Sequence, residues 1–184
     1  MKRFISFALV ILTMLTLVGC NSEKSIQVVK TFDYKEIATW TGMETPDEGG
    51  GPAGTAEANN ELEFARIFVG SDGWGGVQST KVTFDLSKGT HYLAIRIFES
   101  HDGFKWGVKF TPSDPEEGHE WGFYLIEDNN FKWNKYAAVN VNEALKDFAD
   151  AYGNKFEGVL WVYATGGEEA SVDVSSLSLL LMKK

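Results

Sequence analysis

The sequence predicts an all-β fold, a two-sheet antiparallel β-sandwich with one short helix. Apolar residues recur with period two through most of the chain, turn-forming clusters separate those runs, and a single stretch has helical spacing. No alternation of strand and helix is present, which argues against a parallel sheet and for packed antiparallel layers.

The first strand is expected at Ile26–Asp33. Met43 to Asn60 follows, with Gly49-Gly50-Gly51-Pro52 and scattered acids; it has little apolar surface to bury and reads as a long mobile loop. A strand is expected over Leu62–Val69, then the turn Ser71-Asp72-Gly73. Lys81 to Leu86 sets Val82, Phe84 and Leu86 on one side. After Ser87-Lys88-Gly89, His91 to Glu99 places Leu93, Ile95 and Ile97 on one face and Tyr92, Arg96 and Phe98 on the other. Lys105 to Phe110 alternates again through Trp106, Val108 and Phe110, and Trp121, Phe123 and Leu125 form a further stripe. Asp128-Asn129-Asn130 is a turn. In Val141–Tyr152, Ala144, Leu145, Phe148 and Tyr152 share a helical stripe, with Asn142 as the expected N-cap. Gly158 to Ala164 is apolar on both faces, Thr165-Gly166-Gly167 turns the chain, and Ser171 to Leu181 forms the last strand. Closed or double-sheet solutions suit so many strands, and a jelly roll is the expected topology.

Ahead of this body, Lys2 and Arg3 precede an apolar run from Phe4 to Val18, shorter than the ~20 residues that cross a bilayer. The run ends in Leu17-Val18-Gly19-Cys20, which resembles the lipobox of bacterial lipoproteins. That resemblance implies a signal peptide over residues 1–19, lipidation at Cys20, and a place in the bacterial cell envelope, anchored through the N-terminal lipid and outside the cytoplasm. Asn21 follows the cysteine, where aspartate would be the usual retention signal in some diderms, so an outer-membrane or cell-surface destination is allowed. Residues 20–25 form a short tether, and its five residues after Cys20 span ~15–18 Å. One domain, 26–184, then remains, large enough to bury a core of its own.

Cys20 is the sole cysteine, so neither a disulfide nor a thiolate metal site is available to the mature chain. The formal charge is −9, and it becomes −11 once Lys2 and Arg3 are removed. That sign argues against nucleic acid as a partner and against general attraction to anionic lipid.

From Thr90 onward the chain is similar to the jelly-roll, galactose-binding-like modules of extracellular carbohydrate-active proteins. The similarity lies in His91-Tyr92-Leu93-Ala94-Ile95-Arg96-Ile97, the turn at Gly103, and Lys105-Trp106-Gly107-Val108-Lys109. It continues in Val159-Leu160-Trp161-Val162-Tyr163, the Gly166-Gly167 turn, and Val172-Asp173-Val174-Ser175-Ser176-Leu177-Ser178-Leu179. Where such modules often carry a pair of aspartates, Asp173 stands here with Ser175. The resemblance implies glycan binding. It also implies a structural calcium between the first and last strands, to which Asp33 and Asp173, as antiparallel neighbours, would supply oxygens. Two acids are a thin set for an ion that takes six to eight oxygens, and among 26 acidic residues chance pairs are expected.

Sugar recognition needs flat aromatic faces and a few well-placed polar groups. Trp106 and Trp121 share stripes with aliphatic residues and read as core. Trp74, in a turn too glycine-rich for a strand, and Trp133, amid amides and lysines, are either ligand platforms or loop staples. A second candidate surface joins Tyr92, Arg96 and Phe98 to Trp161 and Tyr163 as one groove, unless the long loop or the helix covers it. Enzyme signals are poor: His91, His101 and His119 lack metal-ligand spacing, and although Glu99 with Asp102, or Glu120 with Glu127, could stand across a groove, the Glu-x-Asp-x-x-Glu strand motif of jelly-roll glycosidases is missing. The two functional expectations are therefore a non-catalytic carbohydrate-binding lipoprotein, and a structural or protein-interaction lipoprotein that uses the sandwich as a scaffold for an envelope partner.

Overall fold

The computed structural model describes residues 25–42, 54–68, 74–114, 122–128 and 135–183. The strands are β1 (Ile26–Asp33), β2 (Thr41–Gly42), β3 (Thr55–Asn59), β4 (Phe64–Phe68), β5 (Trp74–Gln78), β6 (Val82–Asp85), β7 (Thr90–Pro112), β8 (Phe123–Asp128), β9 (Lys135–Asn140) and β10 (Lys155–Met182). Short helices are α1 (Tyr34–Ile37), α2 (Val141–Ala144) and α3 (Lys146–Tyr152), with a 3-10 turn at Leu86–Lys88.

Two long strands organise everything else. β7 and β10 pair antiparallel from Gly158↔Pro112 to Met182↔Thr90. The register slips midway, between Gly166↔Gly103 and Ser171↔His101, so residues 167–170 bulge against residue 102. A bulge bends its strand and lets it pass from one layer to the next. On one side of the bend, Thr90–Ser100 and Ser171–Met182 lie between β9 and the collinear pair β1 and β4, with β3 beyond β4. On the other, Lys105–Pro112 and Lys155–Thr165 lie between β8 and the pair β5 and β6, with β2 beyond β5. The β-sandwich is thus one hydrogen-bonded network folded into two antiparallel sheets.

Alternation supplies the core. Leu93, Ile95, Ile97, Val172, Val174, Leu177 and Leu179 from the first layer meet Trp106, Val108, Phe110, Leu160, Val162 and Ala164 from the second in one buried cluster. The expected stripes at Val82, Phe84 and Leu86, and at Leu93 to Ile97, face it as predicted. At the α3 end, Phe84, Phe110, Phe148 and Phe156 touch with ring centroids 5.2–5.9 Å apart.

Four expectations are corrected. Trp74 begins a strand: Gly75 and Gly76 pair with Ala164 and Tyr163, and at Gly76 the lack of a Cβ permits close approach to Tyr163 without breaking the ladder. The stretch read as a loop over Met43–Asn60 contains β3, held by its pairing with β4; residues 43–53 lie outside the described residues. The strand expected from Leu62 starts at Phe64, because residues 60–63 form the β3–β4 turn. The helix breaks at Leu145, and its N-cap is Asn140, whose Oδ1 accepts from Asn142 N and Glu143 N at 3.1 and 3.4 Å. Asn142 has another task. Its Oδ1 accepts from His91 N at 2.7 Å, and its Nδ2 donates to the Gly89 and Leu86 carbonyls at 3.1 and 3.3 Å.

Across β10 and β4, Asp173 faces Arg66 directly. The guanidinium grips the buried carboxylate with two 2.8 Å bonds, Nε to Oδ1 and Nη2 to Oδ2, while keeping 37% of its own side chain exposed. Removing the arginine strands a charge that water cannot reach; removing the acid leaves an arginine that can turn outward. Arg66→Met is therefore expected to lower unfolding free energy by about 2 kcal/mol, a figure reduced for the solvent screening of the half-exposed guanidinium. Asp173→Asn is expected to cost less. Urea denaturation of both variants, with the opposite ranking as the adverse result, tests this.

Candidate functional site

Every second residue of the second layer points away from the core, and there β7, β8, β5 and β10 assemble an aromatic and charged face. Pairing aligns it in rows: Tyr124, Lys109, Trp161 and Gln78 form one, and Glu127, Gly107, Tyr163 and Gly76 the next. A bulge in β8 between the partners of Val108 and Lys109 puts Tyr124 on this face while Leu125 and Ile126 both stay buried.

Tyr163 lies low because Gly107 and Gly76 flank it. A Cβ on Gly107 would stand 2.6 Å from Tyr163 Oη, and one on Gly76 would stand 2.8 Å from Tyr163 Cα. The phenol donates to Glu127 Oε2 at 3.0 Å, and Lys105 Nζ holds Glu127 Oε1 at 2.8 Å. Lys105, then the Tyr163 hydroxyl, hold the Glu127 carboxyl below the usual carboxylate range. Burial, then the Glu127 carboxylate, push the Tyr163 phenol far above its ordinary value. Glu127 is therefore kept ionised and Tyr163 neutral, an arrangement suited to accepting and donating fixed hydrogen bonds and unsuited to general acid catalysis.

Lys109 is the unusual group. It is 1% exposed, and its Nζ sits 4.7 Å from the Tyr124 ring centroid and 5.2 Å from that of Trp161. Among the described residues, neither Lys109 Nζ nor the buried Trp161 Nε1 has a hydrogen-bond partner. Burial alone lowers the lysine's pKa. Tyr124, 56% exposed and edge-on to Tyr163 at 5.9 Å, is the outer ring of the cluster.

Of the residues singled out from sequence, the fold brings Trp161 and Tyr163 together here. Tyr92, Arg96 and Phe98 belong to the other layer, and the single groove expected from these five residues does not form. The bend separates them: Arg96 pairs with Ser176 and Tyr136 on the far side of the sandwich, with its guanidinium 5.4 Å from the Tyr136 ring, and Phe98 stacks on Phe64 at 5.1 Å. The backbone of Trp74 pairs with Thr165, at the margin of the Trp161/Tyr163 face. Trp133 lies outside the described residues. His91 is a core histidine beside Phe84, and burial holds it below the usual histidine range. Asp33 and Asp173 are not neighbours. Asp33 pairs with Ser176 and its Oδ1 accepts from Glu36 N at 2.9 Å, while Asp173 is bound by Arg66. With both carboxylates so engaged, the pair does not fit a shared calcium. Lys109 and Tyr124 were missed; the signal was there in the alternation of Lys105, Gly107 and Lys109 opposite a Trp106, Val108, Phe110 core stripe.

A separate hollow of about 340 Å³ lies where Phe148, Tyr152 and Phe156 meet Pro112 and Ser113. Its rim mixes Lys81 and Lys155 with Asp114 and Glu157, so it selects neither sign of charge.

No protein-family model matches the chain, and no curated protein matches it in sequence. Solved structures do. A family 30 carbohydrate-binding module aligns over 84% of this chain and 100% of its own, with a TM-score of 0.50 and 14% identity. The xylan-binding module CBM15 covers 88% of this chain and 99% of its own, with a TM-score of 0.49 and 10% identity. The family 30 module of a cellulosomal cellulase from Clostridium thermocellum covers 82% and 97%, with a TM-score of 0.46 and 15% identity. These three neighbours are carbohydrate-binding modules. At these identities the likeness to the first of them speaks for a shared β-sandwich fold and for nothing finer.

Lys109→Met keeps the apolar stem and removes an uncompensated ammonium, so it is expected to raise the melting temperature by about 2–4 °C at pH 7, the equivalent of ~1 kcal/mol in a domain of this size. The sign of the pH dependence follows from the lowered pKa. Above the folded lysine's pKa the unfolded chain still holds the proton that the fold has lost, so wild-type stability gains as pH rises toward 10.5, the ordinary value. The variant's advantage should shrink over that window; a constant gap in melting scans would contradict the assignment.

Proposed function

We propose that this chain is a non-catalytic carbohydrate-binding lipoprotein of the bacterial cell envelope, and that glycan lies on the Tyr124/Trp161/Tyr163 face. One observation carries the binding reading: Lys109 Nζ and Trp161 Nε1, direct cross-strand partners, are two buried donors without acceptors among the described residues, beside an exposed tyrosine ring. Unpaired buried donors cost about 1–3 kcal/mol each, and a ligand oxygen removes that cost. The exposed Tyr124 ring offers the apolar face of a pyranose a flat surface, while Glu127 and Gln78 offer its hydroxyls partners. The likeness in fold to carbohydrate-binding modules supports the same reading. For the address, the Leu17-Val18-Gly19-Cys20 sequence supports lipidation at Cys20 and tethering of the domain close to a membrane.

Glycan binding should quench tryptophan fluorescence, with Kd between about 1 µM and 1 mM. Tyr124→Ala and Trp161→Phe should each weaken it by roughly tenfold or more, the scale of one stacked ring or one lost hydrogen bond. A broad glycan array without a single hit would remove this function. Separately, the mass of membrane-expressed protein should show cleavage before Cys20 and added acyl chains, both lost in Cys20→Ser; an unmodified mature chain would remove the lipoprotein assignment.

A further inference from the structure

We infer that the glycan bound on this face carries an anionic group, a carboxylate or a sulfate ester, seated between Lys109 Nζ and Trp161 Nε1. The inference rests on the carbohydrate reading and adds the class of sugar. Lys109 is among the largest fully buried side chains, yet its ammonium has two aromatic faces for company and no acceptor among the described residues. Ring quadrupoles attract a cation, but they cannot replace the hydration that burial removes; a buried ammonium calls for a counter-charge. The acid on the neighbouring row cannot serve, because Glu127 already neutralises Lys105 and accepts from Tyr163.

The second donor gives direction. Lys109 and Trp161 are paired residues on adjacent strands, their Cβ atoms about 4.5–5.5 Å apart, so an ammonium and an indole N–H on one face can share a single two-oxygen acceptor. A neutral sugar hydroxyl would complete hydrogen bonds but leave the charge uncompensated. An anion does both. Tyr124, exposed above the lysine, is the ring that must move for the ligand to enter. The net charge of −9 opposes anions at long range, but screening confines that to roughly 8 Å at physiological salt, so the contact at Lys109 decides.

The test uses the full chain in detergent and calorimetric titration with matched pairs. Oligogalacturonate, oligomannuronate and glucuronoxylan fragments are each compared with their carboxyl-reduced forms, and a sulfated galactan with its desulfated form. The acidic member of at least one pair is expected to bind tenfold or more tightly, with the uronate and sulfate arms identifying the anion. In Lys109→Met that ratio should fall to about one. Neutral members that bind as well as acidic ones would overturn the anion inference and leave the glycan reading standing. Silence toward neutral and acidic glycans alike would overturn both. The comparison on the unmodified chain decides the matter even if the variant fails to fold.

Discussion

The antiparallel pairing of β7 with β10 is the constraint on which the remaining structure depends. These strands, 23 and 28 residues long, stay partnered through a bend, so a single ladder forms the spine of both layers. Every other sheet strand but β2 and β3 pairs directly with one of the two. Cohesion between layers is thus carried by hydrogen bonds along the spine as well as by the apolar core between the sheets. A chain whose one cysteine has no second to pair with gains from such a design, since the two sheets cannot slide independently.

The same bend decides what the outer faces can do. Alternation hands each long strand a second set of side chains, and the fold points those sets to opposite surfaces. On one surface Asp173 and Arg66 satisfy each other in a bidentate pair. On the other, Lys109 and Trp161 lie side by side with their donors unmatched among the described residues. This contrast is energetic. The first surface has its buried charge compensated within the chain, whereas the second carries a cost of desolvation that an acceptor from outside would offset. Glycines at 76 and 107 let Tyr163 settle between them, and its bond to Glu127 fixes that acid's orientation toward Lys105.

Much of the fold was legible from residue order. Period-two stripes at Val82–Leu86, Leu93–Ile97 and Trp106–Phe110 identified core-facing residues, and in the stretch Gly158–Ala164, apolar on both faces, the residues from Leu160 to Ala164 are all buried. Less legible were the weak strands. Trp74–Gln78 contains two glycines, and Thr55–Asn59 has almost no apolar content; pairing with a stronger neighbour holds both. A local pattern cannot report a partner supplied from far along the chain.

The candidate site divides the same way. The sequence by itself determined the class of fold, the aromatic supply and the faces to which Trp161, Tyr163 and Lys109 belong, because side-chain direction along a strand depends only on position parity. Which faces meet was decided by tertiary structure alone. Tyr92 and Arg96 looked like companions of Trp161 until the bulge at Gly166 to Ser171 sent their strand segments into separate layers. Asp33 and Asp173 likewise missed each other through register, three residues apart along β10. Register and bend arise from long-range hydrogen bonding, and no short window of residues contains them.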